Sequence, residues 1–459
     1  MALLLAFFAF RPPPTTGPFM RDFESYYSAG ATWNAGGDPY TRDIWQVERT
    51  IPGVVATRDE LLPFVGPSAF RPLWSLLARL PYLAAMRVWG VVLGCALIVL
   101  VLGSLALAGA QRDPRTIAAA FLVAFASGPI ISDIALGQVA LVAAAAVVAA
   151  VFALRSGSLV GATIAIAFSA IQPNIALVLL ARIRDRHALI AAASAFAIFL
   201  GATLVFGGNL GGLIDYVRML SSHAEAERYI TIQHTVTAIA YGFGVNQSAA
   251  AILGTSLSVV ALACIVVLVR RFRFDALEST AAACAALPLV VPFFHEHDFV
   301  IELFPALVLA VRARGPALSF AAAGTVFAAS DWLGLSQRAN GQWQLLAFVA
   351  SLSLAFVALS TGARTRTTLI PGIVAVGLIL VLAPFAQAHQ APTWPDFLTE
   401  RWHAPIGWSA AQVWHAEQVA SGLEVREATW SLLRALPFLG CLSLLTAFAV
   451  SARGREASP

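Results

Sequence analysis

"VWGVVLGCALIVLVLGSLALAG", residues 88–109, contains no charged residue. About twenty such residues cross the roughly 30 Å hydrocarbon core of a bilayer as a helix. Within lipid, backbone polar groups must be satisfied inside the segment, so the run is helical. Working outward, similar runs recur near 116–135, 137–154, 188–208, 249–269, 276–294, 316–334, 342–361, 367–386 and 431–451, with a shorter one at 298–311. Composition agrees with this reading. The 459 residues are 59% hydrophobic and 12% charged, against roughly 25% charged in a soluble domain. The chain reads as an all-α polytopic membrane protein of about 11–13 membrane helices, one integral domain over 1–459.

The net charge of +4 does not point to nucleic acid, because topogenic positive charge accounts for it. All 29 basic residues are arginine. Cys95, Cys264, Cys284 and Cys441 all lie in apolar runs without C-x-x-C spacing, and read as small apolar residues. The opening "MALLLAFFAF" (1–10) is too short to span and lacks the charged start of a signal peptide. It is expected to be a first membrane helix truncated at its N-terminus, or else a short re-entrant start.

Arginines set the expected orientation. "QRDPR" (111–115), "RSG" (155–157), "RIRDRH" (182–187), "RRFRF" (270–274), "VRARG" (311–315), "ARTR" (363–366) and the tail "SARGRE" (451–456) fall on the cytoplasmic side by the positive-inside rule. A single crossing at 158–181 would put two of these on opposite sides. Pro173 in "AIQPN" resolves the conflict, since proline breaks a helix. Residues 158–186 are expected to form a re-entrant broken hairpin, with one Pro-kinked span as the alternative. The connections 11–87, 209–248, 295–297, 331–341 and 387–430 then face outward, the first carrying interfacial helices. All eleven Trp and seven of the eight His lie in these connections or at helix ends beside them. The expected location is a bacterial inner membrane, with the working face periplasmic.

"RDFESYYSAGATWNAGGDPY" (21–40) places Asp22 and Glu24 at the start of a helix ended by Gly36-Gly37. Two readings fit Asp22: an N-cap favoured by the helix dipole, or a catalytic base. "PFFHEHDF" (292–299) gathers His295 and His297 with Glu296 and Asp298. The cluster lacks H-E-x-x-H spacing, so no metal is expected, and the histidines read either as proton or phosphate groups or as interfacial caps. Gln138 and Asn174 stand at helix breaks and fit a cavity or helix–helix hydrogen bonds. In 209–248, Arg228 and His234 are candidate phosphate or sugar contacts, and Arg218 a weaker one. Trp394, Trp402, Trp408 and Trp414 fit an interfacial belt, with sugar stacking as the alternative.

Taken in order, "DFESYYSAGATWNAGGDPY" (22–40), "LPFVGPSAFRPLWSLLARLP" (62–81), "ALGQVALVAAA" (135–145), "AIQPNIALVLLARIRDR" (170–186) and "PFFHEHDFVIELFPALVL" (292–309) resemble glycosyltransferase family 87 over roughly residues 20–310. The chain departs from the family at Gln172, where Lys is common, and at Val139-Ala140 after the Gly-Gln pair. The aromatic-Pro-Pro motif of the first loop is degraded to "VGPSAFRP". The resemblance implies a GT-C-like fold that transfers a hexose, with mannose favoured, from a polyprenyl-phosphate donor to a lipid-linked or glycan acceptor. It implies inversion, with Asp22 as general base and Glu24 as helper. Tyr26, Gln138, Arg228, His234, His295 and His297 would bind substrate, and no cofactor is expected. The alternatives are a transporter or flippase, for which no inverted repeat is visible, and an envelope-glycan ligase or polymerase.

Overall fold

The computed structural model describes residues 20–208, 210–359, 364–395 and 398–456. The expected truncated or re-entrant start at 1–10 lies outside them. Among the described residues there are helices and no strands. The longer helices are α1 Arg21–Asn34, α2 Arg71–Leu77, α3 Tyr82–Ala108, α4 Pro114–Ala126, α5 Gly128–Leu136, α6 Ala140–Arg155, α7 Leu159–Ser169, α8 Arg186–Phe206 and α9 Leu210–Ala226. They continue as α10 Val236–Gly242, α11 Gln247–Arg271, α12 Ala276–Val290, α13 Leu303–Arg312, α14 Pro316–Ala328, α15 Gly341–Leu359, α16 Arg364–Ala388, α17 Ala410–Ala420 and α18 Ala428–Glu456.

The chain is an all-α, multi-pass membrane protein. Six helices are long and apolar enough to cross a bilayer, or seven if the bent pair α4–α5 is one span. This is fewer continuous crossings than hydropathy suggests. Several apolar runs fold as helices of 10–17 residues, including α6, α7, α12 and α14. The run expected at 116–135 is also not one rod. It bends by 63° between α4 and α5. Pro129 explains the break: it lacks an N–H and disfavours helical geometry in the residue before it. The "AIQPN" segment breaks as well, with α7 ending at Ser169 and a short helix resuming at Pro173. The connections expected at 209–248 and 387–430 are not bare loops, since they contain α9, α10 and α17.

Two ends of the bundle differ in character. At one end, Arg155 and Arg312 both donate to the Leu107 carbonyl at the foot of α3. Arg273, Asp275 and Arg314 line a cleft with Ala108 beside them. Cations there complement the negative end of the α3 dipole. At the other end, Tyr82 opens α3 and donates from its hydroxyl to the Met20 carbonyl, 3.2 Å away. A helix of 27 residues separates the two ends by roughly 40 Å.

Aromatic packing fixes α1 at that second end. Phe23 stacks on Trp89 of α3 at 5.9 Å, and Tyr26 stacks on Trp74 of α2 at 4.8 Å. The α5–α6 turn fits beneath α1 because Gly137 has φ +75° and its missing Cβ would lie 2.7 Å from Phe23 Cβ. Trp89 Nε1 donates to the Gly137 carbonyl at 2.8 Å, and Asp133 accepts from Leu141 N–H at 3.0 Å to cap α6. Gly137→Ala therefore suffers both left-handed strain and a clash, about 2–4 kcal/mol together. Gly109→Ala, at φ +92° with open space around it, suffers the backbone strain alone. Thermal unfolding of the two variants in detergent is expected to show Gly137→Ala clearly lower.

Candidate active site

A cavity of about 510 Å³ opens between α1, α5, the end of α9, the turn after α12 and α17. Asp22, Tyr26, Gln138, His234, His295 and His297 all line it. Four segments far apart in sequence thus bring six of the eight expected site residues together.

Asp22 does not cap its helix. The helix starts at Arg21, and the N-cap position is Met20, in a left-handed conformation with no side-chain cap. The Asp22 carboxylate instead turns into the cavity and accepts from Gln138 Nε2 at 2.6 Å. Tyr26, one turn along α1, donates to Gln138 Oε1 at 2.9 Å. That bond fixes which end of the amide faces Asp22. Burial raises the Asp22 pKa to about 6, with the Gln138 hydrogen bond and the nearby His295 pulling the other way.

The opposite wall is organised by Glu227, a residue the sequence reading passed over in favour of its neighbour. Glu227 is 1% exposed. One of its oxygens accepts from Trp414 Nε1 at 2.7 Å and Gln418 Nε2 at 3.1 Å. His223 Nε2 approaches the same oxygen at 3.3 Å. The other accepts from Gln233 Nε2 at 2.8 Å and pairs with His295 Nε2 at 2.8 Å. Burial alone would raise this carboxyl, but His223, His295 and the hydrogen bonds outweigh it and hold it below the usual range. Burial likewise works against the His295 cation, yet Glu227 overrides it and raises the pKa. The cationic form of His295 is thereby favoured.

His234 and His297 are pushed towards the neutral form. His234 is pushed down to about 3, first by burial and then by Arg434 and His295. Neither of its ring nitrogens has a hydrogen-bond partner among the described residues. His297 is held low by burial and by the His295 charge. The "HEHD" run is therefore not one cluster. Both histidines and Glu296 line the cavity, while Asp298 accepts from Gln172 at 2.9 Å and from His295 N–H at 2.9 Å. Among the described residues, no group of three or more His, Cys, Asp or Glu could hold a metal.

Two expected residues stand elsewhere. Glu24, two positions from Asp22, points away from the cavity into an ion network. It pairs with Arg21 at 3.0 Å, Arg21 also pairs with Glu60, and Glu60 pairs with Arg58 at 2.6 Å. Arg21 itself lines the cavity, and Glu24 contacts it from behind. Arg228 is exposed and pairs with Glu225 at 2.5 Å, and Arg218 is exposed and pairs with Asp215 at 3.4 Å. Trp394 and Trp414 form part of the cavity wall rather than a lipid-facing belt.

Arg434 of α18 holds the wall in place. This buried guanidinium donates to the carbonyls of Ile230 at 3.2 Å and Gln233 at 3.0 Å, fixing the strand of chain that carries Gln233 and His234.

Replacing Glu227 by Ala strands several buried donors around an empty site. The expected cost is about 3–5 kcal/mol, read as a lower thermal transition of the purified protein. Gln138→Leu is expected to keep the fold but to raise the Asp22 pKa above about 6, because the bond that lowers it is gone. Proton titration of Asp22 by ¹³C NMR checks the direction.

The sequence model of glycosyltransferase family 87 matches residues 64–295. No curated protein and no solved structure gives a significant match. The matched half of the chain holds Gln138, Glu227, His234 and His295, while Asp22, Arg338, Trp394 and Trp414 join the cavity from outside it. The chain therefore belongs to glycosyltransferase family 87 and is a membrane glycosyltransferase.

Proposed function

We propose that the protein transfers a hexose, with mannose favoured, from a polyprenyl-phosphate donor to a lipid-linked or envelope-glycan acceptor. The cavity faces the periplasm of a bacterial inner membrane, and residues 158–186 return to the cytoplasmic side as a re-entrant hairpin. The observation that carries the reading is the pairing of a held carboxylate, Asp22, with a histidine cation, His295, across one cavity.

An acceptor hydroxyl has a pKa far above seven and needs a base as it attacks the anomeric carbon. Asp22 takes that proton. The C–O bond to the phosphate breaks as the new glycosidic bond forms on the opposite face, so the reaction inverts. The departing lipid phosphate is an anion, and the His295 cation stabilises it. His234, with no hydrogen-bond partner on either ring nitrogen among the described residues, and His297 line the cavity and would bind phosphate or sugar oxygens. The sugar arrives activated on its carrier, so the transfer draws on no separate energy source.

The two charge states give a pH profile. Asp22 must be deprotonated, so kcat/KM rises with pH through about 6. His295 must be protonated, so activity falls as pH climbs through its raised pKa. A bell results, and Glu227→Gln, which removes the charge that raises His295, is expected to shift the falling limb to lower pH.

The direct test uses purified protein in liposomes with radiolabelled polyprenyl-phosphate hexoses and an envelope lipid extract. Wild type is expected to turn over, and Asp22→Asn to lose about 10²–10⁴-fold in rate with an unchanged thermal transition. Equal rates in the two proteins would remove Asp22 from the mechanism.

A further inference from the structure

The bend between α4 and α5 does more than interrupt a span. Gly128 N–H leaves the helix ladder and donates to the Ala329 carbonyl at 2.8 Å. Irregular backbone at membrane depth is tolerated where it is buried in protein or lines a cavity. Here it lines one. Beside the bend runs a separate groove of about 320 Å³, with Ala126, Gly128 and Ile131 on one side and Gly341, Leu345 and Phe348 on the other.

Three observations say what this groove accepts. Its walls belong to α15 and the bent pair, both long and apolar enough to cross a bilayer, the pair when taken as one span. Trp343, on the first turn of α15, is 65% exposed, which suits an indole at the membrane interface. Ile131 and Arg338 line both the groove and the catalytic cavity, so the two spaces adjoin. At that junction the Arg338 guanidinium is oriented by Asp331 at 2.5 Å and by Gln344 at 2.9 Å, with its side chain 47% exposed.

We propose that this groove is the lateral entrance for the donor lipid, the first isoprene units lying between α5 and α15 and the phosphate pairing with Arg338. The proposal rests on the lipid-phosphate donor reading above. A single groove suits the one chain of a polyprenyl phosphate better than the paired chains of a phospholipid. The guanidinium fork matches phosphate oxygens. Arg338, Leu345 and Phe348 all lie outside the residues matched by the family.

The test compares a long-chain polyprenyl-phosphate hexose with a water-soluble donor carrying two isoprene units. Ala126→Phe and Leu345→Trp fill the groove from its two sides. Each is expected to raise KM for the long donor about tenfold while KM for the short donor stays within about twofold. Arg338→Gln is expected to raise KM for both donors about tenfold, and Arg338→Lys to recover part of the loss. Thermal transitions identify any variant that fails to fold, and the other groove variant then decides. The proposal is overturned if folded groove variants leave the long donor's KM unchanged, or if the acceptor's KM rises instead. A wild type that accepts no lipid-phosphate donor at all overturns the donor reading itself, an outcome distinct from active wild type with indifferent variants.

Discussion

The carboxylate of Glu227 is the constraint around which the cavity is assembled. A lone buried carboxylate costs several kcal/mol, so it must be surrounded by donors. Those donors come from α9, from the segment before α10, from the turn after α12 and from α17. The four pieces converge because each satisfies part of one charge. The same charge favours the His295 cation in a place where burial works against it. Structure and chemistry therefore share a cause: the anion that closes the wall also supplies the cation that faces the substrate.

The bilayer imposes the second constraint. Backbone groups freed from regular helix need partners inside the protein, and several here have one. The Gly128 N–H finds Ala329, and the carbonyls of Ile230 and Gln233 find the buried Arg434. The Gln172 side chain at the "AIQPN" break reaches Asp298, which in turn receives the His295 backbone N–H. Breaks and active-site turns are thus tied to one another, so the irregular backbone that would be costly in lipid instead builds the cavity.

The sequence shows this architecture unevenly. The all-α membrane class is legible because lipid demands long apolar helices, and the family is legible from the order of its motifs. Asp22, Tyr26, Gln138, His234, His295 and His297 were readable as candidates because polar residues at breaks and outer turns are rare in so apolar a chain. Glu227 was not, although His223 and Glu227 stand four apart at the end of α9 and so share a face. Its neighbour Arg228 drew attention through its charge, but the helix turns it to the surface. Trp394 and Trp414 escape the belt reading for a similar reason: belt and cavity wall use the same residue type, and only tertiary packing separates Trp414, buried on Glu227, from Trp343, exposed on α15. The bend at Ser127–Gly128 carried a signal in Pro129 that the length of the apolar run outweighed.

Asp22 is set between two opposed demands. A carboxylate left in water would be fully ionised but a weak base towards a hydroxyl. Burial strengthens it by raising its pKa, and unopposed burial would leave it protonated and useless near neutral pH. The Tyr26–Gln138 pair limits the rise by donating one hydrogen bond to the ionised form. With its pKa at about 6, Asp22 is about nine-tenths ionised at pH 7 and yet more basic than an exposed aspartate. Gly137 makes that balance possible, since any side chain there would push α1 away and carry the carboxylate out of reach of the amide.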